Sequence, residues 1–182
     1  MPLRYGKFEI NDFHAQKRVL SVPEIFTYSS NIGTARMALS LGVDYHKAFL
    51  KKLGQLDRLR TELPESAEPL VPKHWGELNT VTIAFGHGLS VAPLQAVMGI
   101  SALGQWRQDD SADVPQARPG RRPTSLAKRV IKPETADKMR YLMRLNVEKG
   151  TATRANVPGY YVGGKTGTSD KVVGGAIPRP KS

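Results

Sequence analysis

Apolar side chains recur at helical spacing in four stretches of the chain, separated by polar, Gly- and Pro-rich segments. Residues 1–20 are mixed and carry no sustained period. From Ser21 the pattern Ile25, Phe26, Ser29, Ile32, Gly33, Met37 predicts one helix. Ser21 or Val22 caps it, Pro23 fits its first turn, where a missing N–H costs nothing, and Gly42 stops it. Asp44 can cap a second, shorter helix carrying Tyr45, Ala48, Phe49 and Leu53, with Gly54 at its end. Residues 57–79, with Pro64, Pro69 and Pro72, read as a loop. Val81-Thr82-Ile83-Ala84-Phe85 is β-prone and reads as a short strand broken by Gly86-His87-Gly88. Pro93 opens a third helix, Leu94 to Leu103, whose nearly continuous apolar character marks it as buried. A fourth runs from Glu134 to about Glu148, with Met139, Leu142, Met143 and Leu145 as its stripe and Gly150 as its stop. Tyr160-Tyr161-Val162 then leads into Gly163-Gly164-Lys165-Thr166-Gly167-Thr168, read as a strand containing glycines.

Composition narrows the class. The 182 residues are 40% hydrophobic and 24% charged and contain no Cys, which excludes a disulfide scaffold and a fully disordered chain. The formal net charge is +11. Such a balance suits an anionic partner, but the cations are scattered, and a solvated basic face is the plainer reading. No RNA-binding strand motif or zinc-finger spacing accompanies them, so nucleic acid is not expected as a partner. No run of about 18 apolar residues predicts a membrane span. No apolar h-region follows Met1, so no export signal is read. His14, His46, His74 and His87 are isolated, and neither a metal nor a cofactor is expected. Residues 104–127 lack the apolar side chains needed to join a core and are expected to be mobile.

Three short patterns carry candidate chemistry. They are Ser29-Ser30-Asn31, the segment Phe85-Gly86-His87-Gly88 through Pro93-Leu94-Gln95, and Lys165-Thr166-Gly167-Thr168. Singly each is ordinary: a polar helix surface, a loop needing positive φ, a strand with a bulge. The glycines before Lys165-Thr166 do not have phosphate-loop spacing. In order, Ser-x-Asn followed by Lys-Thr-Gly is the combination of serine acyltransferases of the penicillin-binding and β-lactamase type. Together with Tyr28 to Gly33, Arg140-Tyr141-Leu142-Met143, Gly150-Thr151-Ala152 and Gly163 to Thr168, it makes the chain resemble the transpeptidase domain of class B penicillin-binding proteins. The division-specific peptidoglycan D,D-transpeptidases are the nearest type. The resemblance covers roughly 1–103 and 128–173.

This resemblance implies an incomplete α+β fold, with helices packed on an antiparallel sheet over residues 1–173. Residues 104–127 form a divergent insert and 174–182 a divergent tail. It implies catalytic roles for Ser29, Asn31 and Lys165. The Ser29 hydroxyl passes a proton toward the leaving amine, the Asn31 amide bonds the substrate carbonyl and the catalytic Lys, and Lys165 supplies positive potential. Thr166, Gly167 and Thr168 bind substrate. The two hydroxyls grip its carboxylate, Gly167 lets it lie along the strand, and the Thr168 N–H is an oxyanion donor. The implied substrate is the D-Ala-D-Ala stem peptide of peptidoglycan, with β-lactams as ligands of the complete domain and division-complex proteins as further partners. The implied location is the periplasmic face of the inner membrane, although this sequence shows neither anchor nor signal.

The nucleophile of this family lies in a Ser-x-x-Lys ahead of Ser-x-Asn, and no such motif precedes Ser29. Ser125-Leu126-Ala127-Lys128 has the right letters in the wrong order along the chain, beside the polar stretch, and reads as a decoy. The expectation is a transpeptidase fragment that is inactive and marginally stable by itself. A non-catalytic cell-wall or division-complex binding module and a basic nucleic-acid binder are the alternatives.

Overall fold

The computed structural model describes residues 3–5, 8–59, 66–104 and 130–167. Two short strands, β1 (Leu3–Tyr5) and β2 (Phe8–Ile10), pair antiparallel with Leu3 opposite Ile10 and Tyr5 opposite Phe8. Six helices follow: α1 (Val22–Thr27), α2 (Asn31–Leu41), α3 (Val43–Lys52), α4 (Glu77–Ala84), α5 (Pro93–Gly104) and α6 (Pro133–Lys149). A single 3₁₀ turn, Thr153–Ala155, succeeds α6. The result among the described residues is helices with a small antiparallel sheet, an α+β arrangement.

The predicted helix from Ser21 to Gly42 is two helices. Ser21 caps α1, its backbone N–H donating to Glu24 Oε2 at 2.8 Å, and Pro23 sits in the first turn. The helix ends at Tyr28, and Ser29 takes φ +55°, a left-handed conformation that a helix cannot contain. Ser30 then caps α2, accepting the Gly33 N–H at 3.0 Å. Gly33 allows the two helices to close on each other. A Cβ there would fall 2.6 Å from Ile25 Cγ1. Apolar residues keep helical spacing across this corner, so periodicity alone does not register the break.

The segment Val81–Phe85 is helical, not extended. Gly76 is the N-cap of α4, its N–H donating to Asn79 Oδ1 at 3.0 Å, and Trp75 Nε1 donates to Thr80 Oγ1 at 2.9 Å. Thr80 and Val81 are wholly buried, and Val81 joins Ile10 and Ala35 at the centre of the core. Packing of α4 on α2 outweighs the β-preference of Val81, Thr82 and Ile83. Gly86 and Gly88 both have positive φ and turn the chain away from the end of α4. Residues 1–20, mixed and without a sustained period in the sequence, nonetheless form β1 and β2, which deliver Ile10 to the core.

Gln95, 1% exposed, anchors α5. Its Nε2 donates to Gly54 O at 3.1 Å and Asp57 O at 2.8 Å, and its Oε1 accepts the Ala92 N–H at 3.1 Å. A fully buried amide with all three bonds made ties the loop after α3 to the start of α5. The stretch 104–127, beyond the backbone of Gly104, lies outside the described residues. So do the Ser125–Lys128 motif, Thr168 and the tail 174–182.

Candidate active site

The corner between α1 and α2 and the segment after α6 meet at one place. Lys165 Nζ donates to Ser29 Oγ at 2.7 Å, across 136 residues of chain. The same ammonium lies 3.3 Å from Thr166 O and 5.9 Å from the centre of the Phe26 ring. Although Lys165 as a residue is exposed, burial of its charge lowers its pKa from the usual lysine value. Among the described residues its charge meets no carboxylate within ion-pair distance.

The segment carrying Lys165 is held by the last turns of α6. Gly164 N–H donates to Met143 O at 3.1 Å, and Arg144 reaches Val162 O at 3.0 Å. Arg144 also pairs with Glu148 at 2.7 Å and lies under the Tyr161 ring. Asn146 Nδ2 donates to Gly164 O at 3.0 Å. The sequence predicts a strand over Gly163 to Thr168; the described part, to Gly167, joins no β-ladder among the described residues and is fixed by α6 instead. Thr166 Oγ1 is 2.6 Å from Thr151 Oγ1, and a Cβ at Gly167 would meet nothing within 4 Å. Among the described residues the space beside Gly167 is therefore open.

Asn31 opens α2, but its amide is turned to the other flank, donating to Asn11 O at 3.1 Å. Of the sequence-derived candidates, Ser29, Lys165 and Thr166 converge on one point. Asn31 adjoins it with its amide donor engaged by Asn11, Gly167 follows Thr166 in the chain, and Thr168 lies outside the described residues.

Two residues that sequence reasoning did not assign to the site support it. Asp12 accepts the Ser30 hydroxyl and the Ile32 N–H, each at 2.9 Å, and so fixes the corner bearing Ser29. Asn146 has no exposed surface. Its signal was legible: an amide set between Leu145 and Val147, at i+3 and i+4 from Met143 and Leu142, on an otherwise apolar face. Among the described residues no group of three or more His, Cys, Asp or Glu could hold a metal ion, and no helix is long and apolar enough to cross a membrane.

Helices around a small sheet, with a serine at a helix corner gripped by a lysine from a distant Lys-Thr-Gly, are what one family combines. Residues 2–176 match the family described as the penicillin binding protein transpeptidase domain, and the chain belongs to it. It is 38% identical over 173 residues to a probable peptidoglycan D,D-transpeptidase FtsI of Caulobacter vibrioides. It is 30% identical over 177 residues to a probable peptidoglycan D,D-transpeptidase PenA of Neisseria gonorrhoeae. These alignments take in 93% and 96% of this chain but only 29% and 30% of those relatives. Among solved structures, the transpeptidase domain of Burkholderia pseudomallei penicillin-binding protein 3 superposes with a TM-score of 0.79 at 26% identity. It covers 98% of this chain and 54% of that one. An aztreonam complex of a mycobacterial penicillin-binding protein 3 gives a TM-score of 0.76 at 25% identity, covering 97% of this chain and 43% of that one.

Proposed function

We propose that this chain provides the substrate-gripping part of a peptidoglycan D,D-transpeptidase, the activity carried in the names of its relatives. The observation that carries the reading is the 2.7 Å contact between Lys165 Nζ and Ser29 Oγ. It joins a cation that has no carboxylate partner among the described residues to a hydroxyl able to pass on a proton. In this reading the terminal carboxylate of a D-Ala-D-Ala stem peptide settles against Lys165, Thr166 and Thr168. Its backbone lies along residues 165–167, where Gly167 leaves room.

Acyl transfer then requires a hydroxyl to attack the penultimate D-Ala carbonyl carbon. The C–N bond to the terminal D-Ala breaks, and the leaving amine needs a proton. Ser29 stands where such a proton can be handed over. Lys165 holds the potential that favours both the carboxylate and the developing oxyanion. The attacking hydroxyl is the part these 182 residues do not supply ahead of Ser29 in the family's Ser-x-x-Lys form. A β-lactam, which carries a similarly placed carboxylate, would enter the same groove. The location proposed by kinship is the periplasmic face of the inner membrane, with division proteins as partners.

Titration of the 182-residue chain with an N-acylated peptide ending in D-Ala-D-Ala, followed by amide NMR, tests the reading. Shifts centred on residues 29–31 and 163–167, lost in Lys165→Ala and absent with an L-Ala-L-Ala peptide, are the expected result. Equal response to both peptides, or none to either, would overturn it. Fluorescent penicillin is expected to leave no covalent band on this chain. A band abolished by Ser125→Ala would instead make the 125–128 motif a nucleophile.

A further inference from the structure

Asn146 is the most completely buried polar side chain near the site, and none of the residues implicated above touches substrate through it. Its amide has an unambiguous sense. Nδ2 donates to Gly164 O at 3.0 Å, so Oδ1 faces Thr151, whose N–H and hydroxyl lie at 3.1 and 3.2 Å. A carbonyl oxygen only accepts, so the Thr151 hydroxyl donates its one proton to Asn146. The Thr151 oxygen is then left as acceptor, and at 2.6 Å it takes the proton of the Thr166 hydroxyl. The Thr166 oxygen keeps a lone pair for Lys165 Nζ, which lies 3.5 Å away. The bonds run in one direction, from ammonium through two hydroxyls to a buried amide.

The same pair reaches the other half of the site. Thr151 N–H also points at Thr27 O, 3.3 Å away and two residues before Ser29. Gly150, beside it, admits no side chain, since a Cβ would lie 2.7 Å from Thr27 O. The turn 150–151 is thus wedged between the end of α1 and the Lys165 segment.

We propose that Asn146, acting through Thr151, is a positioning residue that sets the spacing of the Ser29 and Lys165 halves and the direction of the Thr166 hydroxyl proton. The inference rests on the site proposed above. In this arrangement the Thr166 hydroxyl donates to Thr151. A carboxylate arriving beside Lys165 takes that hydrogen bond by rotation of the Thr166 hydroxyl, which gives up its bond to Thr151 while every covalent bond stays intact. Thr151 keeps its donor turned inward throughout, so the carboxylate meets one rotating hydroxyl and not two competing ones.

The test compares Thr151→Val, which keeps the shape and removes the hydroxyl, with Thr151→Ser, which restores it, in the 182-residue chain. Three signals are read: the Thr166 methyl resonance, the NMR titration midpoint of the Lys165 side chain, and affinity for the N-acylated D-Ala-D-Ala peptide. Thr151→Val is expected to move both resonances and weaken the peptide by about tenfold, the scale of one lost hydrogen bond. Thr151→Ser is expected to return all three toward the parent values. Asn146→Leu should reproduce Thr151→Val if it folds. Unchanged Thr166 and Lys165 signals in a folded Thr151→Val chain would overturn the proposal. So would a Thr151→Ser chain that behaves like Thr151→Val, since that would reduce the position to packing. Should the parent chain bind no peptide, the proposed function fails, yet the Thr166 and Lys165 resonances still decide the positioning role.

Discussion

Asp12 and Ser30 share a hydrogen bond of 2.9 Å that ties the end of the β-hairpin to the first turn of α2. The second Asp12 oxygen takes the Ile32 N–H at the same distance, while Ser30 itself holds the Gly33 N–H. Two side chains thus satisfy two of the orphan donors of α2 and fix the corner at Ser29. Asp12→Ala is expected to cost about 1–2 kcal/mol of stability, the range of a lost cap with a buried partner left unpaired. Chemical denaturation checks this. Asp12→Asn, which keeps one acceptor, should fall between the two.

Gly150 and Gly164 provide a matched pair of substitutions. A Cβ at Gly150 would sit 2.7 Å from Thr27 O and 2.8 Å from Thr27 Cγ2, whereas one at Gly164 would meet nothing within 4 Å. Gly150→Ala must push α1 from α6 and should lose about 1–3 kcal/mol, the usual cost of overpacking. Gly164→Ala should be nearly neutral in thermal melts. The reverse order would contradict the packing described here.

Glu24 gives a prediction in acid. The Arg18 guanidinium at 2.6 Å, with the Ser21 N–H and hydroxyl, holds its carboxyl down to about 2 from an ordinary 4.5. A lowered carboxyl pKa means the unfolded state binds the proton more readily. The stabilisation is complete above pH 4.5 and is lost as pH falls toward 2. A carboxyl-carbon NMR titration should find the Glu24 midpoint near 2, moving back toward the ordinary value in Arg18→Gln.

Lys165 shifts stability with pH in the same sense, but in an alkaline window. Burial lowers its pKa below 10.5, so between the folded value and 10.5 the unfolded chain holds more protons. Its contribution to stability therefore rises with pH through that window. Affinity for an anionic peptide should fall over the same window as the ammonium is lost. Peptide titrations at increasing pH check this, and Lys165→Met should abolish the pH dependence along with most of the binding.

Much of this arrangement was legible from residue order. Ser21, Pro23, Gly42 and Gly54 mark helix ends because capping and positive φ are local demands that one residue can meet. The Ser29 and Lys165 motifs were legible because their order along the chain resembles that of a known family. The corner at Ser29 was not, since nothing local forbids α1 and α2 from being continuous; Asp12, outside the predicted helix, is what holds the break. The strand expected at Val81 failed because burial of Val81 against Ala35 decides its conformation, and that contact is long-range. The Lys165 segment was read as a strand from its composition, yet the carbonyls and amide of α6 hold it.

The 136 residues between Ser29 and Lys165 also have a consequence in time. Closing so long a loop costs entropy before any reward arrives, and pairings of large sequence separation form slowly. During synthesis the helical core around Val81 can assemble while the ribosome is still building α6. The groove comes into being only when the last of these segments emerges and docks. A polypeptide interrupted before Gly163 would be folded in part and lack Lys165, so the contact with Ser29 waits until that segment has been made.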